Sequence, residues 1–165
     1  MPISFTLTPA QQELQRFARS FAETHLRSAH ALYGASDIAS AREALASIRP
    51  IVGAAVAAGL VAAQIPAALG GAAAESPLLD AVILVEEFYV HDSSVPIAIL
   101  GASLALAPII AAGTPLQRQE LLAPFLTRTG EPLACLAFSE KGGCESPPPS
   151  RVNVRGRQLT GAVTV

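Results

Sequence analysis

Residues 8–25 of this 165-residue chain read TPAQQELQRFARSFAETH. The stretch opens with threonine and proline, and glutamine follows at the third helical position, which is the pattern of a capping box. Leu14, Phe17, Ala18 and Phe21 then recur at intervals of three and four residues, so they share one face of a helix. The stretch predicts an amphipathic helix that buries this face against neighbouring helices.

Helix boundaries of the same chemistry recur along the chain. Threonine, proline and glutamine return at 114–117, and Ser76 precedes a proline in the same cap-then-proline order. Asp37 is predicted to cap a helix that breaks or restarts at Pro50, and Gly59 is predicted to be a C-cap glycine. The chain up to about residue 123 is therefore predicted to be a series of helices.

The segment from Ser94 to Gly113 is apolar on almost every side and contains no charged residue. It is long enough to cross a membrane. However, its alanine, serine and proline content argues against a span, because strong spans are built from leucine, isoleucine, phenylalanine and valine. We therefore predict one long helix, capped by Ser94, in the middle of a helical bundle. A membrane-embedded, alanine-rich protein is the alternative.

The pattern changes near residue 131. The run from Leu133 to Phe138 is short and apolar, as in a buried strand, and residues 152–160 suggest a hairpin around Arg155-Gly156-Arg157. Two or three strands without further partners are marginal in water. We therefore predict a mainly α protein with an N-terminal helical domain over residues 1–130 and an incomplete middle β domain over residues 131–165.

Composition and charge exclude several classes of protein. Lysine and arginine total 11, aspartate and glutamate total 13, and the net charge is −2, which excludes a strongly basic nucleic-acid binder. Hydrophobic types make up 51% of the chain, so extensive disorder is excluded. The two cysteines cannot form a disulfide framework, and the N-terminus lacks the features of a secretory signal. We expect an intracellular protein, in the cytoplasm first, with mitochondria and peroxisomes left open.

The residues themselves assign no catalytic group. Dinucleotide-binding and P-loop fingerprints are absent, and the three histidines and two cysteines lack metal-ligand spacing, so no metal site is predicted. Glu86 and Glu87 are adjacent in a predicted helix and point about 100° apart, so they cannot act as a dyad on one substrate. We expect one of them to pair within the bundle and the other to be solvated.

A series of short segments carries more information than any one of them. They are Phe5-Thr6-Leu7-Thr8, Gly59-Leu60, Gln64-Ile65-Pro66, Leu69-Gly70-Gly71, Val85-Glu86-Glu87-Phe88, Gly113-Thr114, Gln117-Arg118, Gly130-Glu131-Pro132 and Phe138-Ser139-Glu140. In order and spacing over residues 5–140 they resemble the acyl-CoA dehydrogenase superfamily. Within it, residues 64–71, 130–134 and 139–140 look most like the fungal nitroalkane oxidases.

The resemblance implies an acyl-CoA dehydrogenase-like N-terminal helical bundle, a truncated β-barrel-type middle domain, and FAD as the cofactor of the full-length family. By the same resemblance, Leu136 and Phe138 would offer backbone groups to the flavin ring. The Ser139 hydroxyl would lie near flavin N5 and O4, where negative charge collects on reduction. The implied partners are a small-molecule substrate and further copies of the chain, with no nucleic acid and no membrane.

Two departures from the family pattern shape the functional expectation. Lys141 replaces a proline, and Cys144-Glu145 stand about where Gly-Ser is expected near a phosphate. The family's proton-abstracting carboxylate lies in a C-terminal domain, and no carboxylate of this chain matches it. We therefore expect an N-terminal fragment of an FAD-dependent oxidoreductase that is inactive alone and binds FAD weakly or not at all.

The substrate stays open between a nitroalkane, an acyl-CoA thioester and another compound. The alternative function is a non-catalytic helical interaction module, a degenerate paralogue that pairs with full-length relatives. The sequence does not distinguish a genuine short product from a truncated gene model.

Overall fold

The structure, a computed structural model, describes residues 6–34, 38–74 and 76–136, together with the backbone of two short strands. The helices of the described ranges are α1 (Pro9–His25), α2 (His30–Tyr33), α3 (Ala41–Ala57), α4 (Pro77–Tyr89), α5 (Val95–Leu100), α6 (Ala102–Ala112) and α7 (Pro115–Leu126). Two 3₁₀ turns, Ala62–Gln64 and Ala67–Leu69, connect α3 to α4. The predicted helical class is confirmed.

Both predicted capping boxes are present. The Thr8 hydroxyl accepts a hydrogen bond from the Gln11 backbone, and the Gln11 side chain accepts one from the Thr8 backbone at 2.9 Å. Thr114 and Gln117 make the same two contacts at the start of α7. Each box satisfies backbone N–H groups that the first helical turn leaves without partners.

The core forms where α1 packs on α4, α2 on α3, and α3 on α5. Phe21 of α1 and Phe88 of α4 lie with ring centroids 5.5 Å apart, and Phe88 is fully buried. Such tilted aromatic pairs add to the free energy gained by burying their area. Among the described residues, the other fully buried large side chains are Leu26, Ile65, Ile99, Leu106, Leu122, Val52, Val56, Val61, Val95 and Pro96.

Helix α3 differs from its prediction at its start and in its middle. Its N-cap is Ser40, whose side chain accepts from the Glu43 backbone, and Asp37 lies outside the described residues. The helix does not break at Pro50. Proline normally costs a helix interior about 3 kcal/mol. Five buried side chains of α3, on both sides of the proline, offset that cost: Ile48, Ile51, Val52, Ala55 and Val56.

The end of α3 is as predicted. Gly59 has φ +84°, a left-handed conformation that favours glycine. Its N–H donates to the Val56 carbonyl, and the N–H of Leu60 donates to the Ala55 carbonyl. These two hydrogen bonds form a Schellman motif, which turns the chain sharply after the helix.

The helix expected from Ser94 to Gly113 is divided into α5 and α6 at Gly101. Its cap is also different from the prediction, because the Ser94 side chain makes no capping hydrogen bond. Instead, the Asp92 carboxylate accepts from the backbone N–H groups of Ser94 and Val95, both at 2.8 Å. An aspartate three residues before the first residue of α5 thus takes the role assigned to the serine.

The expected place of this helix in the middle of the bundle is also wrong. Val95, Ile99 and Leu106 are buried, but Ile97 and Leu104 are 61% and 62% exposed. The apolar surface has packing partners on one side only within the described residues. By length and composition alone, the segment of residues 95–112, which comprises α5 and α6, could cross a membrane. One such segment is weak evidence for a membrane protein.

The segment after α7 is not the predicted strand where the structure describes it. Residues 131–136 have no regular secondary structure, and Leu133 and Ala134 pack against the helical core. A strand needs a partner for its backbone groups, whereas this segment is held by side chains: Glu131 forms an ion pair with Arg49 at 2.6 Å. Residues 137 and 138 of the predicted strand lie outside the described range.

The predicted hairpin is present locally. Strands β1 (Asn153–Arg155) and β2 (Gln158–Thr160) pair antiparallel, with Val154 opposite Leu159. The hairpin belongs to a compact unit separate from the helical one, which extends to Ala134. The middle β domain itself, and a boundary at residue 130, stay predictions.

Candidate functional site

The residues predicted to contact flavin are not brought together within the described part of the chain. Leu136 is half exposed and lies outside helices and strands. Phe138 and Ser139 lie outside the described residues, as do Lys141 and Glu145. The cofactor role of the first three therefore stays a prediction.

The helical unit contains a cleft of about 1070 Å³ that is open to solvent along one side. Its walls come from the start of α1, the turn after α3, the start of α4 and the junction of α5 with α6. The lining is mainly apolar and includes Leu14, Phe17, Leu60, Leu84 and Leu104. Apolar clefts of this size with a few polar groups are the usual form of a small-molecule site.

Besides the Thr8–Gln11 capping box, two further polar side chains that line the cleft make hydrogen bonds to the protein itself. The Gln64 amide donates to the carbonyls of Leu60 and Ile99, both at 3.2 Å, and so joins the end of α3 to α5. The Ser103 hydroxyl donates to the Leu100 carbonyl at 2.8 Å. These groups hold the walls of the cleft in place.

Asp80 and Arg128 are the charged side chains that line the cleft in the part of the chain that is described. Asp80 lies in the first turn of α4, where a carboxylate interacts favourably with the helix N-terminus. Arg128 follows the cap of α7 and has φ +53°, a left-handed value that is rare for residues other than glycine. Its guanidinium lies against Gly59: a Cβ added to that glycine would be 3.1 Å from the arginine Cζ.

Glu87 is a buried carboxylate that is paired. Nε and Nη2 of Arg19 donate to its two oxygens, each at 2.9 Å, in a bidentate ion pair between α1 and α4. The hydrogen bond from Arg19 lowers the pKa of Glu87, although burial opposes this shift. Glu86 is exposed, so the expectation that one of the two glutamates pairs and the other is solvated is confirmed.

Asp92 is the other buried acid among the described residues. One of its oxygens caps α5, and the other accepts from the Tyr33 hydroxyl at 2.8 Å. The sequence pattern did not lead to a prediction for Asp92. The order Asp-Ser-Ser-Val-Pro was an available signal, since an aspartate just before a proline-containing helix start commonly bonds to backbone N–H groups.

Both buried carboxylates are thus committed to structural contacts. A general base must be able to reach a substrate proton, and neither Glu87 nor Asp92 lines the cleft. Among the described residues, no group of three metal-ligating side chains is found. The helical unit therefore offers a shaped, mainly apolar cleft with two charged residues.

The fold is that of a known class of domain. The family model for the acyl-CoA dehydrogenase N-terminal domain matches residues 8–129. The chain belongs to the acyl-CoA dehydrogenase family.

Within that family, the chain is similar to nitroalkane oxidases, as its sequence indicated. It is 37% identical over 141 residues to the enzyme of Fusarium oxysporum, covering 86% of this chain and 31% of that protein. It is 41% identical over 143 residues to the enzyme of Podospora anserina, covering 87% and 32%. The chain spans about a third of the length of these relatives.

Solved structures of nitroalkane oxidases are also similar to this chain. The Podospora anserina nitroalkane oxidase superposes with a TM-score of 0.79 at 36% identity, over 94% of this chain and 37% of that one. A nitroalkane oxidase variant crystallized with 1-nitrohexane gives 0.76 at 36% identity, over 86% and 32%. Another matched structure describes nitroalkane oxidase as a flavoprotein.

Proposed function

We propose that this chain supplies the N-terminal helical domain of an FAD-dependent oxidoreductase of the nitroalkane oxidase type. The observation that carries the proposal is the match to the Podospora anserina enzyme, with a TM-score of 0.79 at 36% identity over 94% of this chain. Identity at that level over most of this chain supports a shared ancestry of site and fold, rather than of fold alone.

The cleft supports a small aliphatic substrate. Leucine side chains from α1, α4 and α6 line it, and its volume exceeds what a chain of six to eight carbons needs. Relatives were crystallized with 1-nitrohexane and 1-nitrooctane, which are molecules of that kind. The proposal places the substrate chain against this wall.

The predicted flavin contacts lie in the segment after the helical unit. Leu136, the one of them that the structure describes, is half exposed, which supports its access to a ligand. Phe138 and Ser139 would complete the contacts. FAD, when bound, would accept the electrons removed from the substrate.

The proton-abstracting group is proposed to lie outside the helical unit. Both buried carboxylates already hold structural hydrogen bonds, and protonating either would cost those bonds. The helical unit would bind and orient the substrate and exclude water from one side of it. The 165-residue chain by itself is therefore expected to be inactive.

The test uses native protein purified from its source cells. We would determine its intact mass and flavin content, and then add 1-nitrohexane or octanoyl-CoA without oxygen while recording flavin absorbance. Bleaching by 1-nitrohexane alone supports the proposal. Bleaching by octanoyl-CoA alone assigns a dehydrogenase instead, and native protein without flavin contradicts the proposal and favours a non-catalytic module.

A further inference from the structure

We propose that Arg128 makes the cleft selective for aliphatic ligands that carry an anionic group. The inference goes beyond the proposed function, because 1-nitrohexane is neutral and the inference concerns ligands that carry a charge. It rests on the proposed function only in treating the cleft as the substrate side of the domain. Binding to the cleft can be measured on this chain without flavin or turnover. The two proposals can therefore fail separately.

The first observation is backbone strain at Arg128. It is the residue other than glycine that has a positive φ in the described part of the chain. It directly follows the cap of α7, at a position where glycine is favoured because it has no Cβ. Gly59 occupies the equivalent position after α3 and Gly130 follows two residues later, both with positive φ. The chain thus keeps an arginine where glycine would cost less free energy, and residues held in such conformations cluster at functional sites.

The second observation is that Arg128 is an exposed residue whose guanidinium has no protein partner within the described residues. Arg19 and Arg49 form ion pairs with glutamates, and Arg118 donates to two carbonyls near the end of α6. For Arg128, no hydrogen bond or ion pair is present among the described residues. A guanidinium that lines an apolar cleft without a carboxylate partner is complementary to an anion, which it can bind with two parallel N–H donors.

The apolar walls of the cleft favour an alkyl chain as the uncharged part of the ligand. Leu14, Phe17 and Leu104 offer apolar surface to an alkyl chain, and burying each methylene is favourable. Asp80 is the opposite charge in the cleft and does not pair with Arg128. It disfavours an anion at its own position and so orients the ligand with its charged group towards Arg128.

A structural role for Arg128 is the rival explanation. Its guanidinium lies beside Gly59, at the C-terminus of α3, and a cation is stabilised near the carbonyl end of a helix. The two explanations predict opposite effects when the side chain is removed. A structural cap would be lost with a fall in stability, whereas a strained binding residue would be lost with a gain in stability.

The experiment compares octanoate with octanamide, which has the same chain length and no charge, by calorimetric titration of the complete 165-residue chain. We expect octanoate to bind about tenfold more tightly, the size of one charge-assisted hydrogen-bonded contact. Arg128→Gln should abolish the preference and Arg128→Lys should retain part of it. Asp80→Asn should strengthen octanoate binding. Arg27→Gln, which removes an exposed arginine outside the cleft, is the charge-matched control and should change nothing.

The Arg128→Gly variant distinguishes an effect on ligand binding from an effect on stability. We expect it to abolish the preference for octanoate and to raise the midpoint of thermal unfolding, because glycine relieves the left-handed strain. Equal affinities for the two probes in the unmodified chain would overturn the inference. So would a preference that survives Arg128→Gln, or a lower melting midpoint for Arg128→Gly. Flavin bleaching in the native enzyme tests the proposed function and is independent of these results.

Discussion

Helix α1 and the α5–α6 segment bury their side chains by different rules. In α1, apolar and polar residues are segregated, and the buried residues Ala18, Phe21 and Ala22 lie on the apolar side. The α5–α6 segment is apolar all round, yet it buries Ile99 and exposes Ile97. A segregated pattern therefore indicates which face packs, whereas a uniformly apolar helix leaves that choice to its neighbours.

The neighbours explain the difference. The apolar side of α1 meets α4, and Arg19 of α1 reaches Glu87 of α4 beside it. Helix α5 packs on α3 from one side, and the residues described here do not cover the opposite side.

Replacing one isoleucine of α5 should cost far more than replacing the other. Ile99 is fully buried and Ile97 is 61% exposed. We expect Ile99→Ala to lower the free energy of unfolding by about 2–5 kcal/mol, because it leaves a cavity in the core. Ile97→Ala is the matched control and should cost less than about 1 kcal/mol. Urea unfolding of both variants measures the difference, and equal losses would show that both faces of α5 are packed.

Breaking the ion pair should have an asymmetric effect. Arg19→Met leaves the buried Glu87 carboxylate without its partner, whereas Glu87→Gln leaves an arginine that is largely exposed and can be solvated. We therefore expect the melting temperature to fall more for Arg19→Met than for Glu87→Gln. The opposite order would contradict the prediction, and no change for either variant would show that apolar packing alone holds α1 against α4.

The Arg19–Glu87 ion pair should make the free energy of unfolding depend on pH in the acidic range. The pKa of Glu87 is below its ordinary value of 4.5 in the folded chain, because Arg19 donates to its ionised form. The stability from this group is fully present above pH 4.5 and is lost as the pH falls through the lowered pKa. We expect Glu87→Gln to flatten the stability profile in that range. Superimposable profiles for both proteins would contradict the prediction.

The two capping boxes should contribute similar amounts, although their helices pack differently. We expect Thr8→Ala and Thr114→Ala each to lower the free energy of unfolding by about 1 kcal/mol, because each leaves N–H groups of the first turn without a protein partner. Serine at either position keeps the hydroxyl and serves as the control. A cost confined to Thr8 would mean that the cap matters only where the helix is amphipathic.

The smallest effect is expected on the exposed side of α5. Ile97→Gln should change the free energy of unfolding by no more than about 0.5 kcal/mol, since the side chain already contacts water. Calorimetry and light scattering would report stability and self-association together. A large loss of stability would place Ile97 in an interface between copies of the chain.

Local chemistry made much of the fold predictable. The capping boxes at Thr8 and Thr114 and the glycine turn at Gly59 depend on residues a few positions apart, so the pattern contains all the partners. The split between Glu86 and Glu87 also followed from helix geometry, because consecutive residues cannot face the same way. The prediction that the helix breaks or restarts at Pro50 was wrong. Tertiary packing on both sides of a proline cannot be inferred from the residues next to it in the sequence.

The candidate site was less predictable, for the same reason. The cleft joins side chains from α1, α4 and α6 with Arg128, which are far apart in the chain. No spacing rule relates them, and the positive φ of Arg128 is not encoded by its residue type. The family resemblance predicted Leu136, Phe138 and Ser139 as site residues instead.

The sequence by itself determined the helical class, the helix ends and the family, because these depend on short-range hydrogen bonding and on the order of motifs along the chain. Only the tertiary structure decided which face of α5 is buried, that Asp92 rather than Ser94 caps it, and that Arg128 lies over Gly59 at the cleft. The physical reason is that burial and charge pairing are properties of neighbours in space, and a uniform apolar run or an isolated arginine does not specify its neighbours.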